Sequence, residues 1–162
     1  MNKPNDFCNN FKSKPVAFAF IKGSEKHPGI NGKVMFYVAT DGVMVHAEIK
    51  GLPRINKACD NPIYAFHIHT GTSCSGNETD AFANTGTHFN PGACAHPQHA
   101  GDLPPLFSAN GNAYLSFITN RFTIPEILGK SVVIHSSPDD FTTQPSGNAV
   151  EKIACGIIRP LT

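Results

Sequence analysis

Apolar and polar positions alternate in short runs along most of this chain. The runs are "VAFAFIK" (16–22), "KVMFYVA" (33–39), "VMVHAEIK" (43–50), "IYAFHIHT" (63–70), "NAYLSFIT" (112–119), "SVVIHSS" (131–137) and "KIACGII" (152–158). They are rich in β-branched and aromatic residues, and Gly, Pro, Asn or Asp bound most of them. That pattern predicts seven or eight short strands joined by turns, an all-β antiparallel sandwich or barrel. "LPPLFSA" (103–109) is expected as a further strand at a sheet edge, because proline has no N–H to give to a ladder. Only "IPEILGK" (124–130) reads as a helical turn.

Two stretches break the rhythm. Residues 71–102 and 136–151 are long, polar and without strand signals. Loops of this length in a compact domain are usually functional or disordered. Three histidines in the first loop, and another just before the second, favour function.

Alternation also assigns faces. In 63–70, Tyr64, Phe66 and Ile68 share one face, and Ala65, His67 and His69 the other. The apolar face is the core, so both imidazoles project outward side by side, a geometry that suits two ligands on one metal ion. In 131–135 the same logic turns Val132 and Ile134 inward and His135 outward. Within "GTHFNPGACAHPQHAGDL" (86–103), His96, His99 and Asp102 are spaced by three. Pro97 and Gly101 argue for turns rather than a helix there. Two imidazoles and a carboxylate suit zinc, and His88 is the candidate fourth ligand. His46 and His27 read as ordinary surface and loop histidines.

Composition narrows the classes. A chain of 162 residues fits one domain. Its 13 Lys+Arg against 12 Asp+Glu give no charge-based attraction for nucleic acid or an acidic membrane, and no run is long enough for a membrane span. Residues 1–18 have no apolar signal core, so the chain reads as cytoplasmic, with a trimmed exported protein as the alternative. Residues 1–15 are taken as an N-terminal extension and 16–162 as the domain. The five cysteines (Cys8, Cys59, Cys74, Cys94 and Cys155) are odd in number and form no C-x-x-C, against a thiolate zinc site or a thioredoxin-type pair.

The segments "FHIH", "GTHFNP", "HAGDL", "VVIH" and "GNAVEKIACG" follow one another in an order that resembles the copper,zinc superoxide dismutase family, in a short-loop, prokaryotic-like form. The resemblance runs from about residue 63 to 158 and implies a Greek-key β-sandwich or barrel of about eight strands with two long functional loops. It implies copper on His67, His69, His88 and His135, and zinc on His88, His96, His99 and Asp102, with His88 shared. It further implies that Asp139 links the outer nitrogens of His67 and His96, and that Cys74 and Cys155 form a disulfide. A pairing of Cys59 with Cys94 is a weaker suggestion, against two free thiols. The implied substrate is the superoxide anion, guided by Lys152 where the family usually has arginine; His88 and Lys152 are the candidate catalytic residues. Lysine keeps the charge but loses the planar donor fork. Monomer and homodimer are both left open. Two other readings remain, a non-catalytic copper-binding domain and a zinc-stabilised structural domain.

Overall fold

The structure is a computed structural model that describes residues 14–54 and 62–161. Among the described residues nine strands follow one another as β1 (Ala17–Gly23), β2 (Asn31–Ala39), β3 (Gly42–Lys50), β4 (Ile63–His69), β5 (Asp102–Ala109), β6 (Asn112–Thr119), β7 (Ser131–His135), β8 (Lys152–Ile157) and β9 (Arg159–Pro160). One helical turn, α1 (Ile124–Ile127), precedes β7. The N-terminal residues 1–13 and the position of Cys59 lie outside the described residues, so the suggested Cys59–Cys94 pairing does too. No helix among the described residues is long and apolar enough to cross a membrane.

The strands pair antiparallel in the order β2-β3-β6-β5-β4-β7-β8-β1-β9, and a further β1–β2 pairing closes the sheet into a barrel. β4, β5 and β6 are consecutive neighbours, while β3 lies beside β6, which is the Greek-key arrangement. Closure removes the open edges on which a sheet would otherwise recruit other chains. Alternate residues of the strands fill the interior: Ala19 and Ile21 of β1, Val34 and Phe36 of β2, Val45 and Ile49 of β3, Phe66 and Ile68 of β4.

The proline-containing strand differs from the edge position expected of it. β5 lies between β4 and β6. Its ladder to β6 covers only Ser108 and Ala109, and its ladder to β4 slips between Tyr64 and Phe66. Pro104 and Pro105 fall in that gap, where neither is asked for an N–H. The irregularity, rather than an edge, is what accommodates them.

The outward face of β4 is not exposed either. Ala65, His67 and His69 are all buried, because the connections 70–101 and 136–151 fold back over that face. The first adds backbone bonds to the end of β4: Ile68 N–H donates to Gly101 O, Phe89 N–H to Ile68 O and Gly101 N–H to Phe89 O, at 2.8–2.9 Å. A side chain on Gly101 would strike the Ile68 carbonyl, so glycine permits this close approach. The second connection accepts the Ala65 N–H at Ser137 O, 2.8 Å away.

A disulfide joins Cys74 of the first connection to Cys155 of β8, 81 residues apart. Phe82, Val133 and Cys155 form a small apolar cluster around it, separate from the barrel core. The bond ties a long irregular segment to the sheet. Cys74→Ser is therefore expected to lower unfolding free energy by about 2–4 kcal/mol. Denaturant titration of both proteins without reductant checks this, and coincident midpoints would contradict it.

Candidate metal centre

Sheet register brings most of the histidines together before any loop is considered. His67 lies directly across from Asp102 on β5 and from Val133 on β7. His69 lies on the same face two residues on, and an isolated antiparallel bridge sets it opposite His88. His135 closes β7. His96 and His99 sit in turns between Asn90 and β5. Those turns are held by Gln98 N–H to Ala95 O (2.8 Å) and Asp102 N–H to His99 O (3.2 Å).

Two groups of potential ligand atoms result, with the atoms of each group within 4.8 Å of one another: His67, His69, His88 and His135, and His88, His96, His99 and Asp102. His88 belongs to both. All seven residues are buried. Every residue named from the sequence as a metal ligand is thus gathered here, while His46 and His27 are not. His46 instead contacts Ser116 Oγ at 2.6 Å and Glu48 at 3.1 Å, and His27 contacts Ser24 Oγ at 3.1 Å.

Hydrogen bonds fix which ring nitrogen of four of the imidazoles points to the centre. A carboxylate or carbonyl can only accept, so the nitrogen bonded to it carries the proton and the other carries the lone pair. His67 Nε2 and His96 Nε2 each donate to Asp139, at 2.8 Å to separate oxygens. His69 Nδ1 donates to Gly86 O at 2.9 Å and His135 Nδ1 to Val150 O at 3.4 Å. The lone pairs therefore lie on Nδ1 of His67 and His96 and on Nε2 of His69 and His135.

Those lone-pair atoms have no partners of their own. His67 Nδ1, His88 Nε2, His96 Nδ1 and His99 Nδ1 are buried without a hydrogen bond. His69 Nε2 and His135 Nε2 face each other at 3.3 Å, two acceptors that repel unless a cation lies between them. His96 Nδ1 and His99 Nδ1 approach Asp102 Oδ2 to 3.0 and 3.3 Å but make no hydrogen bond with it. Zinc bonds of about 2.0–2.1 Å place tetrahedral ligand atoms roughly 3.3–3.4 Å apart, close to these separations. The donor sets fit the two metals differently: four imidazoles suit copper, and three imidazoles with a carboxylate suit zinc.

The electrostatics agree. Burial lowers the proton affinity of His67, His69 and His135, and pushes His135 down to about 3. Burial alone would raise Asp139. The N–H groups of His67, Phe141 and His96 outweigh it and hold the carboxyl well below the usual carboxylate range. Asp102 is likewise lowered against the effect of burial, chiefly by its contact with His88.

Further residues position the site without any periodic signal in the sequence. The Gln144 side-chain amide pairs with the backbone of His96, accepting its N–H at 2.9 Å and donating to its carbonyl at 2.7 Å. Arg121 Nη1 lies within hydrogen-bonding distance of the carbonyls of Pro97 (3.0 Å), His99 (3.3 Å) and Asp102 (3.3 Å). Gly147 has φ of 66°, and a Cβ there would collide with the Asp139 carboxylate and lie 2.7 Å from His96 Nε2. The second loop thus grips the first at His96.

An open recess of about 370 Å³ reaches the centre, lined by His69, His88, His99 and His135, with Lys152 at its side. Lys152 lies opposite His135 in the β7–β8 register. Its ammonium is not a free flexible end: it donates to Asp80 Oδ2 at 2.7 Å.

A closed Greek-key barrel carrying two histidine-rich ligand sets with one imidazole in common defines a dinuclear metalloprotein. Residues 30–158 match the model of the copper/zinc superoxide dismutase family. A copper–zinc superoxide dismutase of Aquifex aeolicus is 35% identical over 143 residues, spanning 79% of this chain and 78% of its own length. One from Deinococcus radiodurans is 31% identical over 150 residues, 82% and 79% respectively. The chain belongs to the copper/zinc superoxide dismutase family.

Asp139→Asn keeps the shape but removes the charge that orients two rings. It is expected to weaken metal retention roughly 10–100-fold. Competitive chelation measures this, and unchanged affinities would reduce Asp139 to a turn residue. The metal-free protein is also expected to lose stability in mild acid. Unfolded histidines take up protons as pH falls through about 6.5, whereas burial holds His67, His69 and His135 neutral to lower pH. The unfolded state then binds more protons, so stability falls from about pH 7 toward pH 4, by up to about 1.4 kcal/mol per pH unit for each such histidine. Urea midpoints of the metal-free protein check this, and equal midpoints at both ends of that range would contradict it.

Proposed function

We propose that His67, His69, His88 and His135 hold copper, that His88, His96, His99 and Asp102 hold zinc, and that superoxide reaches the copper through the recess beside Lys152. The observation that supports this most is His88. Its ring belongs to both sets, with Nδ1 2.7 Å from Asp102 Oδ1 and Nε2 buried without a partner; zinc at Nδ1 would replace the proton that the Asp102 contact implies in the metal-free ring.

The reaction converts two superoxide anions and two protons into one oxygen and one hydrogen peroxide. Bound copper supplies the one-electron couple that this exchange needs, while zinc, which has no redox chemistry, supplies charge and structure. The protein's part is to hold geometry and manage anions and protons. The carbonyls of Gly86 and Val150 fix the His69 and His135 tautomers, and Asp139 fixes those of His67 and His96. His88 Nε2 would hold a proton for the outgoing peroxide, its Nδ1 being turned to the zinc set beside Asp102. Lys152 places a positively charged donor beside the recess, within reach of an anion that has entered it.

His88→Ala is expected to lose the shared ligand of both sets. Zinc content should fall, the copper(II) absorption and spin-resonance spectra should change, and superoxide removal should drop to near background. Metal content measured beside the superoxide-removal rate, before and after copper addition, tests the whole reading. Wild-type protein loaded with both metals yet without superoxide removal would leave a metal-binding domain instead. Unchanged spectra and full zinc in the variant would reject the sharing of His88.

A further inference from the structure

Among the described residues lining the histidine recess, Lys152 is the one Lys or Arg. Its ammonium donates to Asp80 Oδ2 at 2.7 Å and to Phe82 O at 3.3 Å. Asp80 is itself fixed. Its Oδ1 accepts the Phe82 N–H at 2.9 Å, and its carbonyl accepts the N–H groups of Asn77 (2.9 Å) and Ala83 (3.1 Å). Phe82 packs in the apolar cluster around the disulfide, so the carboxylate stands on an anchored turn. The Lys152 side chain is only 15% exposed. The Asp80 side chain is 37% exposed, so the ammonium end is shielded while the carboxylate stays open to solvent and salt.

A lysine next to a carboxylate presents two opposite charges to an approaching anion, and their attraction falls off faster with distance than that of a lone cation. The same carboxylate gives the ammonium a defined place, which a lysine stem lacks and a guanidinium fork would provide by itself.

We propose that Asp80 is a positioning residue that restrains anion entry: it holds the Lys152 ammonium beside the histidine recess and cancels most of its long-range attraction. This rests on reading the recess as the approach to copper. Asp80 then trades capture of anions for a fixed donor at the mouth.

The test compares wild type, Asp80→Asn, Lys152→Met and the double variant, all with equal copper and zinc. Azide is the probe, followed by the change in copper(II) absorption, because it reports anion access without turnover. Asp80→Asn should tighten azide binding roughly three- to tenfold at low ionic strength. The gain should shrink as salt rises over the range where the Debye length falls below about 10 Å. Lys152→Met alone should weaken azide binding, and in that background Asp80→Asn removes the same negative charge, so a gain of similar size is expected because the charge contributions add. A loss of fold or general loosening would not produce tighter, salt-sensitive binding. A second readout needs no metal: acylation of Lys152 by acetic anhydride, followed by peptide mass spectrometry on metal-free protein, should be faster in Asp80→Asn. Unchanged or weaker azide binding in Asp80→Asn, or unchanged acylation of Lys152, overturns the proposal. Wild type that binds azide but does not remove superoxide would reject the superoxide reading and leave the Asp80 result standing.

Discussion

Each buried imidazole takes two ring nitrogens away from water, and both need a partner or the fold bears the cost. Six histidines are buried together here, with one aspartate among them and another beside them. The protein satisfies nitrogens on the outside of this group with Asp139, Gly86 O and Val150 O. What remains is a set of lone pairs turned toward each other, which only positive charge can reconcile. The ligand chemistry, the lowered proton affinity of His67, His69 and His135 and the need for covering loops all follow from that one constraint.

The barrel and the loops divide the work. Strands fix His67, His69, His135 and Asp102 through register, where a slip of one residue would turn each to the wrong face. The loops supply His88, His96 and His99, and an irregular segment has no such register. It is held by other means: the bridge of His88 to His69, the disulfide from Cys74 to Cys155, the Gln144 clasp on His96 and the bonds from Asp139. Gly147 lets the second loop lie directly over the Asp139–His96 contact. Because the ligand-bearing segments depend on these few contacts, metal binding and loop order are expected to be linked.

Alternation in the sequence was enough to place the strands and to set His67 and His69 on one face. The candidate ligand groups could be named because the order of short segments resembles the family's, and the fold brings those residues together. Burial of those histidines could not be read the same way, since the cover comes from loops distant in sequence. β5 was misjudged as an edge because a proline rule applies to ladders, and the slip beside Tyr64 that removes the conflict leaves no local mark. Gln144 and Arg121 act on backbone carbonyls and amides, which any residue type presents, so nothing in the pattern of side chains points to them. The pairing of Asp80 with Lys152 joins residues 72 apart and is visible only in three dimensions.

Crystals of the metal-loaded protein, with diffraction recorded on both sides of the copper and zinc absorption edges, test the central claim most directly. The account predicts two anomalous peaks on either side of the His88 ring, the copper-edge peak among His67, His69 and His135, and the zinc-edge peak among His96, His99 and Asp102. A single peak, or two peaks with His88 bound to only one of them, would contradict it.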